Sequence, residues 1–196
     1  METFEIDGRR YEREVLPSCA DSEFGMAREG WYFADRTLRA SIPIAKVTAD
    51  LKRLQRMPIA ETSGLKDDIF RIAHASFTRD RRFHVAPKCD PAVSAAVLRR
   101  WVDALGPTFV CLYHDKPVGF LNLRENFVHL AAVEEKYRVT GAAMGLYAHA
   151  IGACRERGFK TMEGRISSLN TPVMNLYASF GAVFSDPEDI FLRETP

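Results

Sequence analysis

The sequence predicts an α/β domain in which a mixed sheet carries helices on its faces. Segments with a two-residue apolar period alternate with segments whose apolar residues recur every three or four positions, as in layered strands and helices. The chain has 196 residues, of which 46% are hydrophobic, enough to bury one good core. We therefore expect one core domain that carries a short appendage.

Residues 1–60 form the predicted appendage, which packs on a core domain of residues 61–196. Apolar and polar residues alternate over Ala34–Ile42, which predicts one half-buried strand. Helical spacing over Val47–Leu54 predicts a short helix, and Pro58 then breaks the chain.

The core domain is predicted to mix helices and strands along the chain. Apolar stripes at helical spacing indicate helices over Leu65–Ser76 and Pro91–Leu105. The other predicted elements are a hairpin of Thr108–Tyr113 and Val118–Leu123, a strand Phe127–Val133, a helix from Arg138 to Gly158, a strand Thr161–Ile166, a helix Pro172–Phe180 and a final pair of strands over Ala182–Arg193.

Charge and cysteine content narrow the function classes. The formal net charge is +1, so no overall field attracts nucleic acid or an acidic membrane surface. The four cysteines form no Cys-x-x-Cys pair and have no histidine at zinc spacing, which predicts reduced thiols and no metal site. No signal-peptide pattern or membrane-spanning run is present. We expect a cytoplasmic monomer or homodimer that acts on a small molecule, with neither nucleic acid nor a membrane as partner.

The segment Arg138-Val139-Thr140-Gly141-Ala142-Ala143 is the most informative in the chain, because a glycine turn there opens an amphipathic helix. Backbone N–H groups at a helix start, together with the positive end of the helix, hold phosphate groups. The turn is therefore a candidate site for a phosphorylated cofactor. For this segment taken alone, the alternative is that the glycine only allows the chain to turn and that no ligand binds there.

Two motifs in chain order resemble those of the GCN5-related N-acetyltransferases, which move an acyl group from acyl-CoA to an amine. Arg138, Gly141 and Ala143 fit the family's phosphate motif of Gln or Arg, two residues, Gly, one residue, and Gly or Ala. The stretch Asn170-x-x-Val173-x-x-Leu176-Tyr177-x-x-x-Gly181 is similar to a second family motif. The resemblance covers roughly residues 60–196. It implies the family's mostly antiparallel sheet with helices on both faces, and acetyl-CoA as cosubstrate.

The resemblance also implies roles for particular residues. Tyr177 would be the general acid that protonates the departing CoA thiolate. Asn170 would hydrogen-bond the pantetheine arm, although an Asn at this position can equally start a helix. The backbone N–H near Val133 would be the oxyanion donor. The CoA pyrophosphate would lie on a turn formed by Arg138, Val139, Thr140, Gly141, Ala142, Ala143 and Met144.

Three side chains compete for the role of general base. His129 has a suitable intrinsic pKa and stands four residues before Val133, which predicts that both side chains share one face of the sheet. Glu163 and Glu125 are the alternatives. A base that acts through ordered water would need no single decisive side chain.

A basic, aromatic loop points to the acceptor. Arg81, Arg82, Phe83 and His84 resemble part of a segment in dTDP-4-amino-sugar acetyltransferases, which implies that they bind a nucleotide-linked amino sugar. A solvated charged loop is the alternative. A protein N-terminal amine or a small polyamine is the second acceptor class. Nucleic-acid binding by these arginines lacks a companion basic-aromatic stripe.

Val139 and Thr140 depart from the family pattern, in which many relatives have glycine and a basic residue. This departure keeps open a different class of function, a CoA-binding protein with a regulatory or interaction role and no turnover. No cysteine occupies an evident nucleophile position, which favours direct attack in a ternary complex over a covalent acyl-enzyme.

Overall fold

One nine-stranded sheet organises the part of the chain that the computed structural model describes, residues 1–6, 8–18, 30–78 and 91–195. The strands are β1 (Glu2–Ile6), β2 (Arg9–Pro17), β3 (Tyr32–Pro43), β4 (Ile59–Thr62), β5 (Thr108–Tyr113), β6 (Lys116–Arg124), β7 (Phe127–Val133), β8 (Thr161–Ser167) and β9 (Val183–Thr195). The helices are α1 (Leu51–Leu54), α2 (Lys66–Ser76), α3 (Pro91–Asp103), α4 (Ala142–Glu156) and α5 (Thr171–Ser179). The fold class predicted from the sequence is confirmed.

The two central strands β7 and β8 are the one parallel pair in the described sheet. The strand order is β1-β2-β9-β3-β8-β7-β6-β5-β4, and α4 makes the crossover that a parallel pair requires. Backbone pairing between β7 and β8 is restricted to Phe127 with Glu163 and Val128 with Gly164. A gap therefore follows Val128 along β7, within the region that the structure describes.

Helices cover both faces of the sheet because each buries an apolar stripe. Leu146 and Ile151 of α4 pack in one core cluster, together with residues of α5. Ile72 of α2 and Val102 of α3 pack in a second cluster with β5, β6 and β7. Each of these four side chains is at most 1% exposed. The gap between β7 and β8 thus lies between two helical layers.

The first 60 residues hold more strands than the one that the sequence patterns predict. β1, β2 and the first residues of β4 add to β3, which lies inside the sheet between β8 and β9. The first two strands lack clean apolar alternation because charged pairs occupy part of the ladder, as between Arg13 and Glu2 and between Arg193 and Glu12. The domain boundary near residue 60 stays a prediction.

Two predicted elements need correction. The pair of strands expected over Ala182–Arg193 is one continuous strand, β9, because a bulge opposite β3 absorbs Asp186 and Pro187. The helix expected over Val47–Leu54 is only the short α1. Its start is fixed by Asp50, whose carboxylate accepts hydrogen bonds from the first backbone N–H groups of the helix.

Within the described ranges, no helix has both the length and the apolar character needed to cross a membrane. In the same ranges, no three His, Cys, Asp or Glu side chains form a group that could hold a metal ion.

Candidate functional site

The turn before α4 has the backbone geometry of an anion site. A 3-10 helix over Glu135–Thr140 leads to Gly141, whose φ of +86° is a left-handed value that glycine adopts without strain. No side chain in the described residues caps α4, and its first turn carries no acid. The Gly145 N–H donates to the Gly141 carbonyl. The N–H groups of residues 142–144 therefore lie at the positive helix end without helical acceptors.

Arg138 fixes this turn against the end of β7. Its Nε donates to the Val133 carbonyl at 3.2 Å, and the Thr140 hydroxyl donates to the Tyr137 carbonyl at 2.6 Å. Val139 lies at the tip of the turn and is 94% exposed. Arg138 thus positions the turn, and its exposed guanidinium also faces solvent where an anion can approach.

Arg56, which the sequence patterns do not mark, lies beside the same turn. The segment 54–56 packs directly on α4, where a Cβ at Gly145 would lie 3.3 Å from the Leu54 carbonyl oxygen. The Arg56 Cδ lies 3.8 Å from the position that a Cβ would take at Gly141. A glycine inside a helix often marks such a close backbone approach, so Gly145 is the sequence signal for this contact.

Tyr177 reaches the point where β7 and β8 separate. A Cβ built on Gly164 of β8 would overlap the Tyr177 hydroxyl and lie 3.3 Å from its Cζ. Gly164 forms the last backbone pair with Val128 before the gap begins. The Tyr177 hydroxyl therefore lies over this strand pair, and it reaches that position because residue 164 has no side chain.

Tyr177 is a buried, neutral phenol. Its side chain is 1% exposed, and its ring meets that of Tyr147 on α4 edge to face, with the ring centroids 5.1 Å apart. Burial, together with the neighbouring Tyr147, raises the pKa of Tyr177 well above its usual range. Burial also raises the pKa of Tyr147 to about 12. Both phenols therefore keep their protons at physiological pH, so that Tyr177 is available as a proton donor.

Asn170 has the helix-start role that the sequence leaves as one of two options. Its side-chain oxygen accepts a hydrogen bond of 3.3 Å from the Val173 N–H at the start of α5. This cap fixes the helix that carries Tyr177. Contact between Asn170 and a pantetheine arm stays a prediction.

The expectation that His129 and Val133 share one face of the sheet is wrong. His129 is an extra residue in β7, because its neighbours Val128 and Leu130 pair with consecutive residues of β6. Such a bulge resets the alternation of side chains. Val128 and Val133 consequently pack in one cluster although five positions separate them. His129 is exposed and its ring lies 5.1 Å from that of Phe127.

His129 lines a cavity of about 730 Å³ that also receives Trp101 from α3 and Arg124 from the end of β6. Partial burial by these walls, and then the positive charge of Arg124, lower the pKa of His129 below its usual value. The imidazole is therefore neutral at physiological pH and able to accept a proton.

The two competing carboxylates occupy different surroundings. Glu163 forms an ion pair with Arg39, whose Nε lies 3.1 Å away, and accepts a hydrogen bond from Thr161. Glu125 lies in the turn between β6 and β7 and lines the same cavity as His129. These contacts make Glu125 the more accessible alternative base.

The predicted acceptor-binding residues Arg81, Arg82, Phe83 and His84 lie outside the described residues. The helix before them, α2, ends at Ser76, whose hydroxyl donates to the Val133 carbonyl at 3.4 Å. The end of α2 is thus placed beside the end of β7.

Three solved structures share this fold at low sequence identity. A conserved protein of unknown function from Staphylococcus epidermidis aligns with a TM-score of 0.67 and 14% identity over 95% of this chain and 73% of that one. A GCN5-related N-acetyltransferase from Sphaerobacter thermophilus aligns with a TM-score of 0.60 and 13% identity over 95% of this chain and 60% of that one. A GNAT-family protein from Novosphingobium aromaticivorans aligns with a TM-score of 0.60 and 14% identity over 95% of this chain and 75% of that one. Among curated proteins, no sequence matches this chain.

A family model gives the more specific comparison. The model described as the acetyltransferase (GNAT) family matches residues 67–182, more than half of the chain. This range includes the turn before α4, both strands that border the gap, and Tyr177. None of these comparisons supports a dTDP-amino-sugar acceptor in particular, so that specificity stays a prediction. The chain itself belongs to the GNAT family of acetyltransferases.

Proposed function

We propose that this protein is an acetyl-CoA-dependent N-acetyltransferase that acetylates a primary amine by direct attack in a ternary complex. The observation that carries the proposal is the placement of two proton-transfer groups around one strand pair. The Tyr177 hydroxyl lies over Gly164, and His129 directly follows Val128, the partner of Gly164. One side chain can donate a proton and the other can accept one where the central strands separate.

The turn before α4 and the gap beside β7 fit acetyl-CoA. The N–H groups of residues 142–144, with Arg138 and Arg56 nearby, offer donors and positive charge to a pyrophosphate. No strand pairs with β7 on the gap side after Val128 in the described residues. An extended amide chain such as pantetheine can therefore lie along that edge. Acetyl-CoA would supply the thioester.

Replacing Arg56 with alanine is expected to weaken acetyl-CoA binding about fivefold, because an exposed charge pair with phosphate contributes on the order of 1 kcal/mol. Arg53→Ala is the matched control, since Arg53 is an exposed arginine of the neighbouring helix α1. Calorimetric titration of both variants with acetyl-CoA measures the difference. Equal dissociation constants for the two variants would remove Arg56 from the binding site.

Proton transfer in the proposed reaction uses two groups, one at the attacking amine and one at the departing thiolate. His129 takes the proton that the attacking amine must lose, and Tyr177 gives a proton to the departing thiolate sulfur. The lowered pKa of His129 and the raised pKa of Tyr177 leave each group in the protonation state that its role needs. The proton balance therefore requires no further side chain.

The pH dependence follows from the lowered pKa of His129. Neutral imidazole is the active form, so kcat/KM should rise with pH to a plateau, through a limb below about pH 6.5, the ordinary histidine value. His129→Gln should remove this limb and lower the plateau. The limb must keep its position when the acceptor is exchanged for an amine of different pKa. A limb that moves with the acceptor would belong to the substrate and exclude His129 as the titrating base.

The described cysteines fit direct transfer and a reducing, cytoplasmic location. Cys111 and Cys154 are buried free thiols. Burial raises the pKa of each to about 11. Neither therefore supplies the thiolate that a covalent acyl-enzyme would need.

The proposal is tested by calorimetric titration with acetyl-CoA, followed by thiol release over a panel of amines. We expect saturable binding and amine-dependent release of CoA. Binding without thiol release on any amine would leave the second candidate, a CoA-binding protein without turnover. The observation that favours this candidate is Val139, an apolar side chain 94% exposed at the tip of the binding turn.

A nucleotide-linked amino sugar is the proposed acceptor on the strength of Arg81, Arg82, Phe83 and His84. A peptide N-terminus or another small amine is the alternative. The amine panel separates these classes when it includes a member of each.

A further inference from the structure

The proposed function uses His129 but assigns no ligand to the cavity that His129 lines. Its volume is about 730 Å³, within the range of sites for small ligands. It lies between the C-terminal part of α3, which supplies Trp101, and the turn that joins β6 to β7. Trp101 thus gives the cavity an aromatic wall.

Of the residues that line this cavity, His129 is the one that adjoins the strand pair over which Tyr177 lies. His129 directly follows Val128 in β7, and Val128 pairs with Gly164 beneath the Tyr177 hydroxyl. A molecule in the cavity can therefore bring an amine to His129 while the thioester lies along the gap. This placement of the amine and the thioester rests on the proposed function.

Three arginines of the cavity wall lack carboxylate partners. Arg100, Arg124 and Arg157 all line the cavity, and none has an ion pair within the described residues. Some other arginines are held by carboxylates, as Arg36 is by Asp189 and Arg165 is by Glu188. Guanidinium groups that line a concave space and are not held in ion pairs are suited to carboxylate or phosphate ligands.

The carboxylates of the cavity wall suit the other end of such a ligand. Glu61 and Glu125 line the cavity together with the arginines, and so does Glu2, which also pairs with Arg13. An acceptor ammonium is attracted by these carboxylates, whereas a separate anionic group is attracted by the guanidinium groups. A lining of both signs therefore favours a ligand that carries both charges over a simple cation such as a polyamine.

We propose that this cavity is the acceptor site and that its arginines, Arg124 among them, select a primary amine that also carries a carboxylate or phosphate group. The amine lies at His129 and the anionic group at Arg124. This selection is independent of Arg81 and Arg82 and applies to any acceptor that combines the two groups.

Acceptor pairs that differ only in the anionic group test the proposal. O-phosphoethanolamine is compared with ethanolamine for the phosphate arm, and β-alanine with β-alaninamide for the carboxylate arm. Thiol release should give a kcat/KM at least about tenfold higher for one anionic member than for its neutral partner, and the arm with the larger ratio identifies the anion. Arg124→Gln should raise the KM of that acceptor about tenfold while changing the KM of acetyl-CoA less than about twofold.

Arg10→Gln is the matched control, because Arg10 is an exposed arginine of β2 that does not line the cavity. It should leave both KM values unchanged. Equal kcat/KM values within both acceptor pairs, or the same effect from the Arg10 and Arg124 variants, would overturn the proposal.

A binding measurement separates this inference from the proposed enzymatic function. The chain has two tryptophans, and Trp101 lines the cavity whereas Trp31 does not. In a ¹⁵N-labelled sample, millimolar O-phosphoethanolamine or β-alanine should shift the Trp101 indole N–H signal, which Trp101→Phe assigns. The neutral partners should shift it less, and Arg124→Gln should reduce the shift. Such a shift without thiol release would retain the cavity as an anion-binding site and reject the enzyme. No shift with either anionic probe would reject the cavity as the acceptor site.

Discussion

Replacing Tyr177 with phenylalanine is expected to lower kcat for CoA release by about a hundredfold or more, the usual contribution of a positioned general acid. The ring remains in its buried place on α5, so the dissociation constant of acetyl-CoA should change little. The substitution removes only the hydroxyl that lies over Gly164. Stopped-flow or steady-state thiol release, combined with calorimetric titration, separates these two quantities.

Tyr147→Phe is the control for this experiment. It removes a hydroxyl from the other ring of the same buried pair but leaves the proposed acid in place. Its effect on kcat should be clearly smaller than that of Tyr177→Phe. If the two variants lose the same activity, the hydroxyl pair has a structural role and Tyr177 is not the acid. Unchanged thiol release in Tyr177→Phe would lead to the same conclusion.

The elements around the gap are those that the sequence predicts best. Phe127–Val133 is predicted and observed with the same ends, and the helix that carries Tyr177 differs by one residue at each end. Both are short, apolar and bounded by polar or proline-containing segments, so local pattern decides them. Tyr177 could therefore be placed on the correct helix from sequence alone.

Features that depend on distant parts of the chain are not predicted. The position of β3 between β8 and β9 depends on pairing with strands more than 100 positions away. The bulge at His129 is set by the register against β6, so an alternation rule applied to β7 alone puts His129 on the wrong face. Arg56 precedes the matched family region, and only the packing of its segment on Gly145 brings it to the turn.

Glycines indicate the contacts that these patterns miss. Gly145 within a helix and Gly164 within a strand each interrupt an otherwise regular pattern, and each meets another part of the chain at close range. One admits a backbone segment and the other admits the Tyr177 hydroxyl. The sequence shows that something approaches at these positions, but only the structure identifies what it is.

Replacing Gly164 with alanine is expected to destabilise the protein by about 2 kcal/mol, since overpacking a filled core costs roughly 1–3 kcal/mol. The new methyl group would overlap the Tyr177 hydroxyl, and the buried ring has to move. A displaced acid should also lower kcat about a hundredfold, because catalysis is sensitive to shifts of about 1 Å. Urea unfolding and thiol release measure the two effects.

A double-mutant cycle shows whether the hydroxyl is the cause of that loss. In the Tyr177→Phe background the overlap is gone and the nearest ring atom, Cζ, lies 3.3 Å from the added Cβ, so Gly164→Ala should cost less than about 1 kcal/mol there. Gly152→Ala is the matched control, because a Cβ at Gly152 in α4 meets nothing within 4 Å and alanine favours a helix. Additive losses across the cycle would show that Gly164 is required for some reason other than the Tyr177 hydroxyl. Coupling confined to that pair would place the proposed acid at the strand separation in solution.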